Sequence, residues 1–172
     1  MGADPAGPMA LATPSQPWCA SAELRFSRQH GGTQLQGGAR APLKLLRAYT
    51  QSSGHCELPL LHTAGGLVGG DQLQIDAQLE PGSQALLTSV AAQKVYGSVG
   101  RSVRSPEGAW AQQRLRFQLG AQSDLEWLPQ ELVLYAGGLY QQQAEVDLAA
   151  NASLLLAEVV RLGRTAAGER LG

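Results

Sequence analysis

Cysteine, lysine and long apolar runs are scarce in this sequence. The 172 residues include two cysteines, Cys19 and Cys56, which are too few for a disulfide framework and are not spaced as a CxxC pair. A reducing compartment, the cytoplasm, is therefore expected. No apolar run approaches the roughly 20 residues that a membrane-spanning helix needs, so a membrane anchor is not expected.

Charge and length exclude further classes of protein. The 13 Lys and Arg residues are balanced by 14 Asp and Glu residues, so the sequence lacks the basic surplus typical of proteins that bind nucleic acid. At roughly 100 to 200 residues per domain, the chain is long enough for one domain. Residues 1–17 contain four prolines and no basic residue, which excludes a signal peptide. They are predicted to form a flexible N-terminal tail before a domain over residues 18–172.

Alternating apolar and polar residues predict three half-buried β-strands. The segments are residues 73–80, 114–119 and 143–148, each of which would place one face on a core and the other in water. Residues 22–26 and 43–45 are weaker strand candidates. The 21 glycines and nine prolines fall between short apolar segments rather than in one tract, which favours many strands joined by turns.

Each alternating segment is followed by a turn and a more apolar segment, so a strand–turn–strand unit is repeated three times. The last leucines of the three segments, Leu79, Leu119 and Leu148, are 40 and then 29 residues apart. Units that cannot bury their inner faces alone stack on one another. The sequence therefore predicts an all-β fold with few short helices, built as a layered, solenoid-like stack. Antiparallel pairing of the units is a working hypothesis, and residues 91–94 are the best helical candidate.

A glycine-rich segment, residues 62–71, has two interpretations. Its successive glycines could cradle a phosphate with backbone N–H groups. The Lys-Ser/Thr pair and the helix that complete a P-loop are missing, however, and an alternating strand follows. The simpler interpretation is a tight bend that enters a strand, in which the Asp71 side chain accepts a hydrogen bond that fixes the turn. Such a bend could also contact a partner protein.

Several carboxylates lie among apolar residues. The histidines and cysteines are too scattered for a closed zinc site, which leaves oxygen ligands as the alternative. Glu126, Glu131 and Glu158 each stand beside bulky apolar side chains. A charge in an apolar core is costly unless it is paired or hydrated, so one interpretation is local ion pairing, for example of Glu158 with Arg161. The other is that these carboxylates line a wet internal passage.

Evidence for catalysis is weak. No serine lies in a nucleophile elbow and no histidine is placed as a general base, so the chain is not expected to be an enzyme. Lys94 and Tyr96 would share one face of an extended segment and are better explained by packing than by acid–base chemistry. A β-solenoid carbohydrate-binding protein or enzyme is the alternative function. It would need exposed aromatic residues and paired carboxylates, which this sequence does not obviously supply.

Four segments in order resemble the urease accessory protein family UreD, also called UreH. They are residues 61–71 (LHTAGGLVGGD), 91–96 (AAQKVY), 125–131 (LEWLPQE) and 161–169 (RLGRTAAGE). The likeness extends from about residue 22 to residue 172, and the last two segments are its most specific parts. Members of this family continue well beyond the Gly-Glu of the last segment, so the chain resembles a C-terminally incomplete copy whose last strands would form an open edge.

The resemblance implies a non-enzymatic assembly factor in the cytoplasm. Proteins of this family bind nickel-free urease and recruit UreF and, through UreF, the GTPase UreG, so that nickel is inserted into the urease active site. The family fold is an elongated, mostly β body. No tightly bound cofactor is implied, but nickel in transit through the body is.

The resemblance also implies roles for particular residues. The candidate transient nickel ligands are carboxylates, which hold an ion weakly enough to release it: Glu126, Glu131, Glu158 and Glu169. The candidate structural or partner-contacting residues come from the quoted segments: His62, Gly65, Gly66, Gly69, Gly70, Asp71, Lys94, Tyr96, Arg161 and Arg164.

Overall fold

The computed structural model describes residues 17–169, which form strands, turns and one short 3₁₀ helix. The predicted tail, residues 1–17, lies outside the described residues except for Pro17. The strands, in chain order, are β1 (Cys19–Gln29), β2 (Gly32–Arg40), β3 (Leu43–Leu45), β4 (Tyr49–Thr50), β5 (Cys56–His62), β6 (Gln72–Leu79), β7 (Gln84–Ser89), β8 (Gln93–Val95), β9 (Ala111–Leu119), β10 (Asp124–Leu128), β11 (Leu132–Leu134), β12 (Tyr140–Leu148), β13 (Ser153–Leu156) and β14 (Val160–Leu162), and the 3₁₀ helix is Thr165–Ala167. The predicted all-β class is confirmed.

Three sheets run along the molecule, and each successive coil of the chain adds one strand to every sheet. The first sheet has the order β12-β9-β6-β1-β2, the second β13-β10-β7-β5-β3 with β4 beside β5, and the third β14-β11-β8. The strands β6-β7-β8, β9-β10-β11 and β12-β13-β14 therefore form three consecutive coils of a solenoid. The predicted stack of strand–turn–strand units is this solenoid.

The working hypothesis of antiparallel pairing is wrong for these units. Each unit turns a corner after its first strand, so its two strands enter different sheets, and equivalent strands of successive coils pair in parallel. The third strand of each coil returns the chain to the first sheet, so every coil starts in the same direction. Antiparallel pairing is confined to the first part of the described chain, where β2 pairs with β1 and β3 and β4 pair with β5.

The register of the coils follows the three leucines that end the alternating segments. Leu79 pairs with Leu119, and Leu119 pairs with Leu148. The unequal spacing of these leucines comes mainly from loops outside the sheets, because residues 96–110 join the first coil to the second whereas residues 135–139 join the second to the third. Length therefore varies at one corner while the strands keep their register.

The corner after each leucine repeats the same backbone conformation. Gly82, Gln122 and Asn151 lie three residues after their leucines, and each has a left-handed φ, of 71°, 59° and 56° respectively. The corners also bond to one another, since Gly82 N–H donates to the Ala121 carbonyl at 2.9 Å. Glycine adopts this conformation without a Cβ clash, whereas a glutamine there is strained.

Inward side chains of the first two coils form a continuous apolar core. Phe117 and Trp127 pack at a centroid distance of 5.9 Å, and Phe117, Leu115 and Leu125 are fully buried. The third coil departs from the predicted half-buried strand. Its inward Leu148 is 54% exposed, although the equivalent Leu119 is 3% exposed. The reason is that no further coil within the described residues covers β12.

The helical candidate at residues 91–94 is wrong, because Gln93–Val95 form β8. Pairing to β11 in the third sheet provides these residues with backbone hydrogen-bond partners that outweigh any local helical preference. The weaker strand candidates at residues 22–26 and 43–45 are confirmed as parts of β1 and β3. Between residues 17 and 169, no helix has the length and apolar content needed to cross a bilayer.

Replacing Gln122 by glycine tests the corner strain. Gln122→Gly is expected to raise the free energy of unfolding by about 0.5–1 kcal/mol, because removing the Cβ relieves the left-handed strain by more than the added chain entropy costs. Urea unfolding followed by circular dichroism measures this change. The matched control Gln118→Gly, in the extended strand before the corner, is expected to lower the same free energy by about 0.5–1 kcal/mol. Loss of stability in both variants would contradict the argument.

Candidate functional site

An interior cavity of about 160 Å³ lies between the three sheets, toward the last coil. Most of its wall is apolar, formed by residues such as Leu73, Ile75 and Leu132. Polar side chains from several coils also reach it, namely His62, Lys94, Gln113, Gln142, Tyr140 and Glu158. An apolar cavity with a few converging polar groups is the usual form of a binding site.

Glu158 is the centre of a hydrogen-bond network in this cavity. It lies in the loop between β13 and β14, and its carboxylate accepts bonds from Trp127 Nε1 at 2.7 Å and from Gln142 Nε2 at 2.5 Å. Tyr140 donates its hydroxyl to Gln142 Oε1 at 2.8 Å. Burial and then the charge of Glu158 raise the pKa of Tyr140, so its hydroxyl stays a donor at neutral pH. The carboxylate is therefore stabilised by donors rather than by a cation.

The ion pair expected between Glu158 and Arg161 does not form. Within the described residues, ion pairs join Arg25 to Glu80, Arg116 to Glu145 and Arg164 to Glu169. Arg161 is exposed on β14, whereas Glu158 points into the cavity beside Trp127. The half-buried carboxylate is satisfied by the indole and amide N–H groups that the neighbouring coils provide, which sequence proximity could not reveal.

His62 lines the same cavity at the end of β5. Its ring packs against Trp18 at a centroid distance of 4.9 Å, and its Nε2 is buried without a hydrogen-bond partner. Burial lowers the pKa of His62, an effect that Asp71 and Gln93 partly oppose. The imidazole is therefore neutral at pH 7, and a neutral imidazole nitrogen is a ligand that nickel accepts.

The four predicted glutamates do not converge. Glu158 lines the cavity, but Glu126 alternates with the inward-facing Leu125 and Trp127 on β10 and so faces away from the core. Glu131 lies half-buried in the loop before β11, where its carbonyl accepts a bond from Gln93 N–H. Across residues 17–169, no three side chains of His, Cys, Asp or Glu lie close enough together to form a metal-binding group.

Glu169 is held by Arg164. The guanidinium of Arg164 donates to the carboxylate from Nε at 2.9 Å, and its own backbone N–H donates at 3.0 Å. These bonds, with the side-chain bond the largest cause, lower the pKa of Glu169 to about 2. A metal ion would have to displace the guanidinium to reach this carboxylate.

Several of the predicted structural residues meet along one side of the third sheet. Arg164 lies over the ring of Tyr135 at 4.5 Å, and Tyr135 packs edge-on against Tyr96 at 5.1 Å. Tyr96 in turn donates its hydroxyl to the Gly65 carbonyl at 3.3 Å. This tyrosine stack, Tyr96, Tyr135 and Arg164, connects the last quoted segment to the glycine-rich bend.

The glycine-rich bend packs tightly against β8. A Cβ on Gly66 would lie 2.6 Å from the Tyr96 ring and 2.8 Å from the Lys94 carbonyl, so only glycine fits there. The fully buried Asp71 accepts bonds from Val68 N–H at 2.8 Å and Trp18 N–H at 3.3 Å. This is the geometry that the turn interpretation expects, and these acceptor bonds occupy the carboxylate that would otherwise face the bend.

Two functional features were not found from the sequence. Tyr135, the middle of the tyrosine stack, carries no local pattern that distinguishes it. Gln113 could have been noticed, because it is the one polar residue at an inward position of β9, which otherwise alternates cleanly. Gln142 pairs with Gln113 in register, at a bond of 3.4 Å between their side chains, so one break in the apolar pattern marked both.

Comparison with known proteins places these residues in a family context. A family model described as "UreD urease accessory protein" matches residues 19–172. The curated relatives include "Urease accessory protein UreD" of Parasynechococcus marenigrum (strain WH8102), which is 62% identical over 156 residues, with 91% of this chain and 50% of the relative covered. The protein of that name from Synechococcus sp. (strain CC9311) is 60% identical over 156 residues, with 91% and 53% covered.

A more distant relative gives the same result. "Urease accessory protein UreD" of Prochlorococcus marinus (strain MIT 9303) is 52% identical over 166 residues, with 92% of this chain and 56% of the relative covered. The chain thus spans about half the length of the curated relatives it matches. The relatives are longer than this chain, as the resemblance implied. The carbohydrate-binding alternative gains no support from these matches.

Replacing Glu158 tests the interior network. Glu158→Ala is expected to lower the free energy of unfolding by about 1–3 kcal/mol, because Trp127 Nε1 and the Gln142 amide lose their shared acceptor inside the cavity. Urea unfolding gives the energy, and a shift in tryptophan emission reports the changed surroundings of Trp127. Glu126→Ala is the matched control, and its effect is expected to stay within about 0.5 kcal/mol. Equal effects of the two substitutions would contradict the assignment.

Proposed function

The chain belongs to the UreD family of urease accessory proteins, and on that premise we propose that it is a non-enzymatic scaffold in urease maturation. In this role it binds nickel-free urease and recruits UreF and, through UreF, UreG. The observation that carries the proposal is a family match over residues 19–172 at about 60% identity to proteins named for this role. The cytoplasm is the proposed location.

The solenoid suits a scaffold because its sheets are rigid and its outer faces are broad. On the first sheet, the outward side chains of successive coils form level rows, such as Asp76, Arg116 and Glu145. Such rows present polar groups at fixed spacing, with Arg116 paired to Glu145 at 3.3 Å. A surface that does not rearrange loses little conformational entropy when a partner binds.

The interior cavity supports a nickel passage as the finer part of the proposal. Glu158 offers a carboxylate and His62 an unpaired imidazole nitrogen, and both ligand types suit nickel in a transient site. Neither residue belongs to a closed cluster of three metal ligands within the described part of the chain, which favours release over storage. Nickel is cargo in this scheme and not a resident cofactor. Glu126, Glu131 and Glu169 stay predictions as transient ligands outside the cavity.

The scaffold role is tested by capture of each partner separately. The tagged chain, immobilised at equal loading, is offered purified apo-urease in one experiment and purified UreF in another. Retention of both proteins after washing at physiological salt is the expected result. Retention of neither would reject the scaffold role, whereas retention of apo-urease alone would remove UreF recruitment from the functions of this part of the family sequence.

The passage role is tested by nickel loading of urease. In cells that depend on this accessory protein, Glu158→Gln is expected to lower the nickel content of purified urease several-fold, because the amide loses the charge that attracts the ion but can still accept the Trp127 bond. Capture of apo-urease should stay unchanged. Glu145→Gln on the outer face is the matched control. Normal nickel content in the Glu158→Gln protein would reject the passage while leaving the scaffold role intact.

A further inference from the structure

The last coil ends in three unpaired strand edges and an uncovered apolar end. Strands β12, β13 and β14 are the last strands of their sheets within the described residues. Side chains of this coil that would be buried one coil earlier are exposed: Leu148 54%, Leu156 38%, Val160 50% and Leu162 61%. An apolar patch bordered by free backbone N–H and C=O groups is a template for a further strand.

We propose that this edge binds a second copy of the chain, through antiparallel pairing of β12 with β12 of the other copy about a two-fold axis at Ala144. Ala144 is the middle residue of β12, so this register pairs the whole strand. A two-fold contact is closed, because each copy uses its one edge and no further copy can add.

The outward side chains of β12 are self-complementary in this register. Gln143 stands opposite Glu145 of the other copy, and Gln141 stands opposite Asp147, so each carboxylate meets an amide that can donate to it. All four side chains are exposed and available. Moving the axis to Val146 would instead place Glu145 opposite Asp147, and this like-charge pair is disfavoured. Charge therefore selects the axis at Ala144.

The same axis brings the two apolar ends together. The inward positions of β12 are the even-numbered ones, since the equivalent residues of β9, such as Leu115 and Phe117, are buried. The partly covered Val146 and the exposed Leu148 would pack against the inward side chains of the other copy, Gln142 and Tyr140 respectively. Each copy would then serve as the missing next coil of its partner. The inference is independent of the proposed role in urease maturation, because it rests on the edge alone.

A charge swap tests the pairing in the chain as it stands. Sedimentation equilibrium is expected to show a dimer, and Gln143→Glu is expected to weaken it about tenfold because two symmetric Glu–Glu pairs form. The double variant Gln143→Glu with Glu145→Gln restores one amide opposite each carboxylate and should return the dimer to nearly its original strength. Gln74→Glu is the matched control, because residue 74 lies beside the same Arg114 but two strands from the edge.

A disulfide tests the axis itself. In a Cys19→Ser background, Ala144→Cys places two thiols directly opposite each other, at a Cα separation of roughly 4.5–5.5 Å that permits a disulfide. Mild oxidation should cross-link this variant but not Gln141→Cys, whose two copies would lie far apart on the paired strands. Equal cross-linking of both variants would overturn the register.

Other occupants of the edge give distinct results. A chain that stays monomeric at about 100 μM, or a dimer unaffected by Gln143→Glu, would overturn the proposal. A monomer that binds the unmatched half of the Parasynechococcus relative through β12 would overturn it as well and would assign the edge to that segment. Capture of some other protein would not by itself rescue the second-copy assignment.

Discussion

Backbone hydrogen bonding between parallel strands of successive coils is the constraint on which the rest of this structure depends. Because Leu79, Leu119 and Leu148 pair across β6, β9 and β12, every inward side chain stacks on an equivalent one in the next coil. A shift of one residue would turn the whole apolar face of a strand outward. The left-handed corners follow from this, since each coil must turn at the same distance from its leucine, even where the residue is Gln122.

The polar interior is also a consequence of register. Gln113 stacks on Gln142 because they occupy equivalent inward positions, and Gln142 then reaches Glu158 in the following loop. Trp127 supplies the other donor from the neighbouring sheet. A carboxylate at this position is tolerated only because two coils deliver donors to it, which is why the cavity can remain polar at one end and apolar elsewhere.

The sequence predicts the local parts of this fold well and the long-range parts less well. Alternation in residues 73–80 and 114–119 correctly predicts β6 and β9, because a strand between core and water has a period of two. The direction of pairing was missed because alternation is the same in parallel and antiparallel strands. At the site, Glu158 was selected for its apolar neighbours, but its partners Trp127 and Gln142 are 31 and 16 residues away, and no local pattern encodes such contacts. Placement of Glu126 on the outer side of β10 followed from its even spacing with inward Leu125 and Trp127 only once the strand was known.

The loop of residues 96–110 shows where this architecture is indifferent to chain length. It is much longer than its counterpart at residues 135–139, yet the strands on either side of it stay in register. Corners between the third and first sheets can therefore absorb inserted sequence, whereas the four-residue corners after the leucines cannot, because their own backbone bonds, such as Gly82 N–H to Ala121, tie each to the next. In a lineage of such proteins, diversity and new recognition elements would accumulate on that single long edge of the prism while the opposite edge stayed fixed in length.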